Sequence, residues 1–215
     1  MSKYIQNLIL QGEHQQQDFK FQINDSRKIA KTLVAFANTD GGKLLIGVKD
    51  NGVIAGVRTD EEFHMVEAAA SMYCKPEIDL AFRTWNIEGK KVLEVDVSNS
   101  LLKPYYALNE DNKWLAYVRV KDQNILAATI QLKYWKQSNA LKGATIKYSQ
   151  KEEVLLKFLN DNPFITINRY CRLAKIPKYL AENVIVNLMV AGLVEMAQNE
   201  KMTWFRLKDP EENNT

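Results

Sequence analysis

The stretch Leu33-Val34-Ala35-Phe36-Ala37-Asn38-Thr39-Asp40-Gly41-Gly42-Lys43-Leu44-Leu45-Ile46-Gly47-Val48 decides how this chain is read. Ile29, Leu33 and Phe36 recur at helical spacing, so a helix capped at Asp25 or Ser26 runs to Asn38. Ala35 and Ala37 flank Phe36 where that helix must come close to a sheet, and Gly41-Gly42 permits the positive φ that turns the chain into the next strand. Lys43 to Asp50 and Val53 to Val57 then read as two strands joined by Asn51-Gly52, the residue pair of a type I′ turn. A helix that breaks at glycine into a hairpin gives the fold class: α+β with a mixed sheet.

Upstream, Ile5, Leu8 and Ile9 predict a short helix over Ser2 to Leu10, ended by Gly12. A strand follows, with Phe19, Phe21 and Ile23 on one face and Asp18, Lys20 and Gln22 on the other. Downstream, Asp60-Glu61-Glu62 opens a helix whose apolar face is Phe63, Val66, Ala69, Ala70 and Tyr73, stopped by Pro76. Strands around Ile78 to Asn86 and Lys91 to Val97 meet at Glu88-Gly89-Lys90. Pro104-Tyr105-Tyr106 begins a loop or edge strand, Trp114 to Lys121 gives another strand, and Thr129 to Asn139 a helix. Trp114, Tyr117, Tyr134 and Trp135 read as core residues of this domain.

A linker is expected near Ala140 to Tyr148, and beyond it the rhythm changes to three helical patterns followed by two short strands. Helices over Gln150 to Asn160, from Thr166 to Ala174 and from Pro177 to Gly192 precede a hairpin of Leu193 to Ala197 and Met202 to Leu207. That order describes a small winged helix-turn-helix domain at 149–208, after a first domain at 1–140. The polar tail from Asp209 to Thr215 is expected to fray.

Composition narrows the functional classes. The chain has 215 residues, 46% hydrophobic and 26% charged, the balance of an ordinary folded protein. Its net charge of +3 is mild, but residues 147–208 hold 10 basic against 6 acidic side chains, the denser positive field. No apolar run approaches the roughly 20 residues that span a bilayer, and the start lacks a secretory signal, so a cytoplasmic protein with no membrane partner is expected. Cys74, Cys171, His14 and His64 are too few and too scattered for a disulfide framework or a zinc site.

The run from Glu13 to Lys20, the phrase Ala35-Phe36-Ala37-Asn38-Thr39-Asp40-Gly41-Gly42, then Ile54-Ala55-Gly56-Val57, Lys103-Pro104-Tyr105-Tyr106 and Tyr117-Val118-Arg119-Val120 together resemble the AlbA-like domain of the Schlafen family over residues 8–130. Microbial members of that family often carry a C-terminal winged helix and are labelled transcriptional regulators or ATP-binding proteins. Some animal Schlafens cleave RNA with three carboxylates and a metal, and the matching positions here are Glu13, Asp18 and Asp50, with Lys20 placed to assist a phosphate. The resemblance thus implies magnesium or manganese at those carboxylates, as in an endoribonuclease-like phosphodiesterase. Asp18 stands where that pattern has Glu, one methylene shorter. Five residues apart on a regular strand means opposite faces, so Glu13 meets Asp18 only if Gln15-Gln16-Gln17 forms a loop or bulge. Asp50 also suits the position before an Asn-Gly turn.

A nucleotide-binding reading fares worse. Gly42 and Gly47 have the interval of a P-loop, but Val48-Lys49 follows where Lys and a hydroxyl residue are needed. In the winged helix, Leu180, Ala181, Val184, Ile185 and Leu188 form the inward stripe of the third helix. Its opposite arc holds Tyr179, Glu182, Asn183, Val186, Asn187 and Val190, ringed by Arg169, Arg172, Lys175, Lys178 and Lys201. Asn183 and Asn187 suit adenine edges, Tyr179 and the cations suit phosphates, and Glu182 repels them. Val186 and Val190 on that arc would instead mark a contact with the first domain or with a second copy in a homodimer. The sequence therefore leads to a nucleic-acid-binding protein of the transcriptional-regulator kind, with DNA rather than RNA as partner. A metal-dependent nuclease is the alternative, and a nucleotide-binding (ATP) module the third.

Overall fold

A computed structural model describes residues 2–57, 59–140 and 148–209, so most of the expected linker and tail lie outside the described residues. Two compact units divide at Ala127 and Ala128. The sequence reading carried the first domain to residue 140; the helix Thr129–Ser138 belongs instead to the second unit, where Ile130 is part of the core.

In the first unit, helix α1 (Ser2–Gln11), strand β1 (Gln17–Lys20), helix α2 (Ser26–Asn38) and strand β2 (Gly42–Ile46) come first. Helix α3 (Glu61–Met72) and strands β3 (Cys74–Lys75), β4 (Leu80–Ile87), β5 (Lys90–Val97), β6 (Tyr106–Leu108), β7 (Trp114–Leu115), β8 (Tyr117–Val120) and β9 (Gln123–Leu126) complete it. The main sheet has the order β1-β2-β5-β4, with β1 parallel to β2 and the other pairings antiparallel. Pleating sends Leu44, Ile46, Val95 and Val97 into the core shared with α2 and α3. Phe19, Leu45 and Val92 point the other way, against Ile5, Leu8 and Ile9 of α1. β1 is shorter than the alternation of Phe19, Phe21 and Ile23 predicts, because its partner β2 ends at Ile46 opposite Lys20.

Asp25 caps α2 by accepting from the Arg27 amide at 2.8 Å. The hairpin at Glu88-Gly89 has both residues at positive φ, the geometry of a type I′ turn. The Asn51-Gly52 hairpin differs from expectation. Lys49 and Val53 flank a three-residue loop in which only Gly52 has positive φ, and pairing beyond it is reduced to the single bridge Val48–Ile54. Gly47 interrupts the second strand by accepting from the amides of both Ala55 and Gly56.

The second unit contains α4 (Thr129–Ser138), α5 (Gln150–Asp161), α6 (Ile167–Ala174), α7 (Lys178–Val190) and the antiparallel strands β10 (Val194–Gln198) and β11 (Thr203–Leu207). Ser149 and Glu152 form a capping box on α5, and Thr166 caps α6. Ile165 pairs with Phe205, tying the segment before α6 to β11. Leu155, Ile165, Tyr170, Ala181, Ile185, Leu188 and Phe205 are the fully enclosed part of this core. Among the described residues no helix is long and apolar enough to cross a membrane.

Candidate nucleic-acid interface

The Ala35 to Gly42 phrase is first a piece of architecture. The buried Asn38 amide donates to the carbonyls of Tyr105 and Tyr117, each at 2.9 Å, and its oxygen accepts from the Tyr105 amide at 2.8 Å. One side chain therefore stitches α2 to two distant segments by satisfying backbone groups of both. Thr39 Oγ1 donates to Ala35 O at 2.6 Å and accepts from the Arg119 amide at 2.9 Å. A Cβ at Gly42 would stand 2.5 Å from the Phe36 ring, and one at Gly41, where φ is +71°, would stand 2.7 Å from Val97 O. Only glycine fits where helix and sheet approach this closely.

The same construction positions the carboxylates. A tight turn at Gln15-Gln16 lets His14 pair with Gln17, which is the loop the sequence needed between Glu13 and Asp18. Gln15 clamps that turn to β8, donating to Arg119 O at 2.9 Å and accepting from the Lys121 amide at 2.8 Å. Glu13 folds back so that its Oε1 accepts from the Phe19 amide at 2.8 Å. Burial pushes the Glu13 carboxyl up from its ordinary range; the Phe19 amide opposes this, while the hydrogen-bonding neighbour Asp18 adds to it.

Glu13, Asp18, Lys20 and Asp50 all line one groove of about 640 Å³, together with Arg27, Lys28 and Lys31 of α2. Arg119, to which the sequence pattern assigns no role of its own, also lines it. Arg119, 2% exposed, donates from Nη2 to Asp18 Oδ1 at 3.0 Å and to Gln17 O at 3.0 Å, and from Nη1 to Asn124 Oδ1 at 3.0 Å. Asn124 in turn donates to Thr32 Oγ1 at 2.9 Å. The guanidinium also lies 5.3 Å from the centre of the Phe36 ring. The available signal was a charged residue between apolar neighbours, Tyr117-Val118-Arg119-Val120, at a strand position that alternation sends inward.

A divalent metal does not fit these carboxylates as they stand. Arg119 occupies Asp18 Oδ1, and Lys20 Nζ sits 2.7 Å from Asp18 Oδ2, an oxygen that has no aligned hydrogen-bond donor. Two built-in cations thus hold the place and charge a metal would take. Asp50 is exposed in its loop, and among the described residues no group of three acidic, histidine or cysteine side chains converges as a metal site. The expected ligand set of Glu13, Asp18 and Asp50 shares a groove but is not assembled for ligation.

In the second unit the arc expected to face solvent on α7 is partly covered by α4. Lys133 Nζ lies 2.6 Å from Glu182 Oε2, and Gln137 Nε2 donates to Asn187 Oδ1 at 2.7 Å. Val186 is buried and Val190 packs against the core, so neither marks an exposed contact with a second copy. Tyr179, 61% exposed, and Asn183 remain open to solvent, as does Lys178, whose side chain is 68% exposed and 3.8 Å from Glu182. Arg172 lies in the last turn of α6, and Lys175 closes that helix in the left-handed conformation. Arg169 is stacked 4.7 Å from the Phe158 ring centre, and Lys201 is exposed in the β10–β11 loop.

The family model described as Schlafen, AlbA_2 matches residues 13–128. The crystal structure of the DIP2311 protein from Corynebacterium diphtheriae is similar at 18% identity and a TM-score of 0.44, covering 68% of this chain and 29% of that one. This chain thus spans less than a third of that protein's length. The solution structure of the N-terminal domain of a protein related to the ATP-dependent DNA helicase RecG from Nitrosomonas europaea is similar at 22% identity and a TM-score of 0.41, covering 58% of this chain and 95% of that domain. No curated protein matches the chain. Because the family match takes in the Glu13 turn, the Asn38 hub, the Gly41-Gly42 strand entry and buried Arg119, this chain belongs to the Schlafen AlbA_2 family.

Proposed function

We propose that this protein binds nucleic acid, and that its second unit is a winged helix-turn-helix that docks on duplex DNA in the manner of a transcriptional regulator. Three helices followed by an antiparallel hairpin, with Ile165 bridging to Phe205, support the winged-helix reading. The observation that carries the proposal is the fate of Glu182. It is the one acid on α7, and Lys133 at 2.6 Å with Lys178 at 3.8 Å offsets its charge. What faces solvent at the start of α7 is therefore Lys178, Tyr179 and Asn183, next in the chain to Arg172 and Lys175. Residues at the N-terminal end of such a helix are the ones that meet base edges in a major groove. Membership of the Schlafen AlbA_2 family is consistent with a nucleic-acid partner.

The test is binding of labelled duplex DNA between about 50 and 200 mM salt, where each phosphate contact steepens the fall in affinity. Arg172→Ala/Lys175→Ala is expected to weaken binding across sequences and to reduce the salt slope by about two. Asn183→Ala is expected to reduce discrimination between sequences and leave the slope alone. Unchanged affinity and slope in the double variant would remove α6 and α7 as the DNA contact.

A further inference from the structure

We propose that the outer face of the small sheet β3–β6–β7 is a stacking platform for unpaired bases of a single-stranded nucleic acid, with Trp114 and Tyr106 as the stacking rings and Lys75 as a phosphate contact. This rests on the reading of the protein as a nucleic-acid binder but uses a surface separate from α6 and α7.

The register fixes which side chains share the face. Lys75 pairs with Tyr106, and Leu108 pairs with Trp114. Residues directly opposed across an antiparallel pair point to the same side, and alternate residues along a strand do too. Lys75, Tyr106, Leu108 and Trp114 therefore share one side, and Cys74, Ala107 and Leu115 share the other. Burial agrees: Cys74 and Ala107 are enclosed and Leu115 packs on the main core, whereas Lys75 is exposed and Trp114 is 42% exposed. Trp114 is thus not the core residue that the sequence suggested.

One exposed tryptophan is ordinary; a ring diagonal to a second ring, with a cation on the same face, is a more specific arrangement. Tyr106 and Trp114 occupy diagonal positions on neighbouring strands, a separation of about 7–8 Å that places two rings on one surface. Sheet faces that carry two or three such rings hold splayed bases of single strands, because every base has a π-face to stack. Lys75 Nζ lies 6.0 Å from the Trp114 ring centre. Glu110 and Asp111 place negative charge in the β6–β7 turn, so the Lys75 and Tyr106 end is the side that suits a phosphate. Leu108 on this face also lines the groove, at the end where Glu110 and Asp111 stand. A cation and two base-stacking rings on one sheet face are the combination that single-strand binders use.

Trp114 itself reports the outcome. The full chain is titrated with oligothymidylate, with oligouridylate and with a duplex, following tryptophan emission and the anisotropy of labelled strands. Single strands are expected to quench emission. Trp114→Ala is expected to lose most of that quench and to bind about tenfold more weakly, the scale of one stacked base. Trp114→Phe should recover part of the affinity, and Lys75→Ala should lower the salt slope. Single strands that leave wild-type emission and anisotropy unchanged would overturn the platform, as would a folded Trp114→Ala that binds them as wild type does. Arg172→Ala/Lys175→Ala separates the two readings. If it loses the duplex but keeps the single-strand quench, both surfaces act; if wild type ignores the duplex and keeps the quench, only the duplex reading falls.

Discussion

Arg119 Nη2 and Asp18 Oδ1 are 3.0 Å apart, with side chains 1% and 5% exposed, across 101 positions of sequence. A buried charge pair of this kind is costly to break from one side, because the surviving Asp18 carboxylate keeps only the part-exposed Lys20 to offset its charge. The pair also holds β8 to β1, since the same guanidinium nitrogen donates to Gln17 O. Arg119→Met is therefore expected to destabilise the first unit by about 3–5 kcal/mol. Replacing both partners, as Arg119→Met/Asp18→Leu, should cost less than the sum of the single changes. Urea unfolding of the four proteins measures the coupling, and additive effects would contradict the pairing.

Gly42 offers a steric test of the Gly-Gly strand entry. Gly42→Ala drives a methyl group toward the Phe36 ring at 2.5 Å, so overpacking of about 1–3 kcal/mol is expected. Gly42→Ala/Phe36→Leu should recover part of the loss by removing the ring contact, while the 2.9 Å approach to the Gln16 carbonyl remains. Thermal unfolding reads both, and a second substitution that only adds to the damage would mean that the close approach is not the cause.

The pH dependence of stability follows from Glu13. Its carboxyl titrates above the usual 4.5 because burial disfavours the charged form. Between 4.5 and its folded value the native chain holds a proton that the unfolded chain has released, so its contribution to stability falls as pH rises through that window. Glu13→Gln removes this titration and keeps an oxygen to accept from the Phe19 amide. The variant should gain stability relative to wild type on going from mildly acidic to neutral pH, measured by denaturant midpoints at each pH. A constant difference would show that Glu13 titrates alike in both states.

Manganese provides a test of the groove. With Asp18 held by Arg119 and Lys20, wild type is expected to show no manganese-dependent cleavage of tRNA or single-stranded DNA above the background of Asp50→Ala. It is also expected to show no saturable manganese binding by calorimetry. Cleavage by wild type that Asp50→Ala abolishes would mean that the ion pairs open and the carboxylates gather around metal.

Much of the local structure was legible because it is written in short-range chemistry. Asp25 caps α2, Ser149 and Thr166 cap α5 and α6, Pro177 precedes α7, and Glu88-Gly89 turns the β4–β5 hairpin. Each of these depends on a few adjacent dihedrals and hydrogen bonds. The sharing of a groove by Glu13, Asp18 and Asp50 came from the family resemblance, and the turn needed to bring Glu13 back to β1 came from the parity of strand side chains.

Residue order alone determined the helix-to-strand break at Asn38 to Gly42, the α+β character and the family, because glycine conformation, capping and periodicity act over a few residues. Tertiary structure decided the rest. Arg119 neutralises Asp18, α4 covers Val186 and Asn187, and Trp114 faces outward from a sheet whose other side is the core. Periodicity says which residues share a face, but not which distant element covers that face. Burial and charge pairing depend on that covering, and so they appear only once the chain has closed on itself.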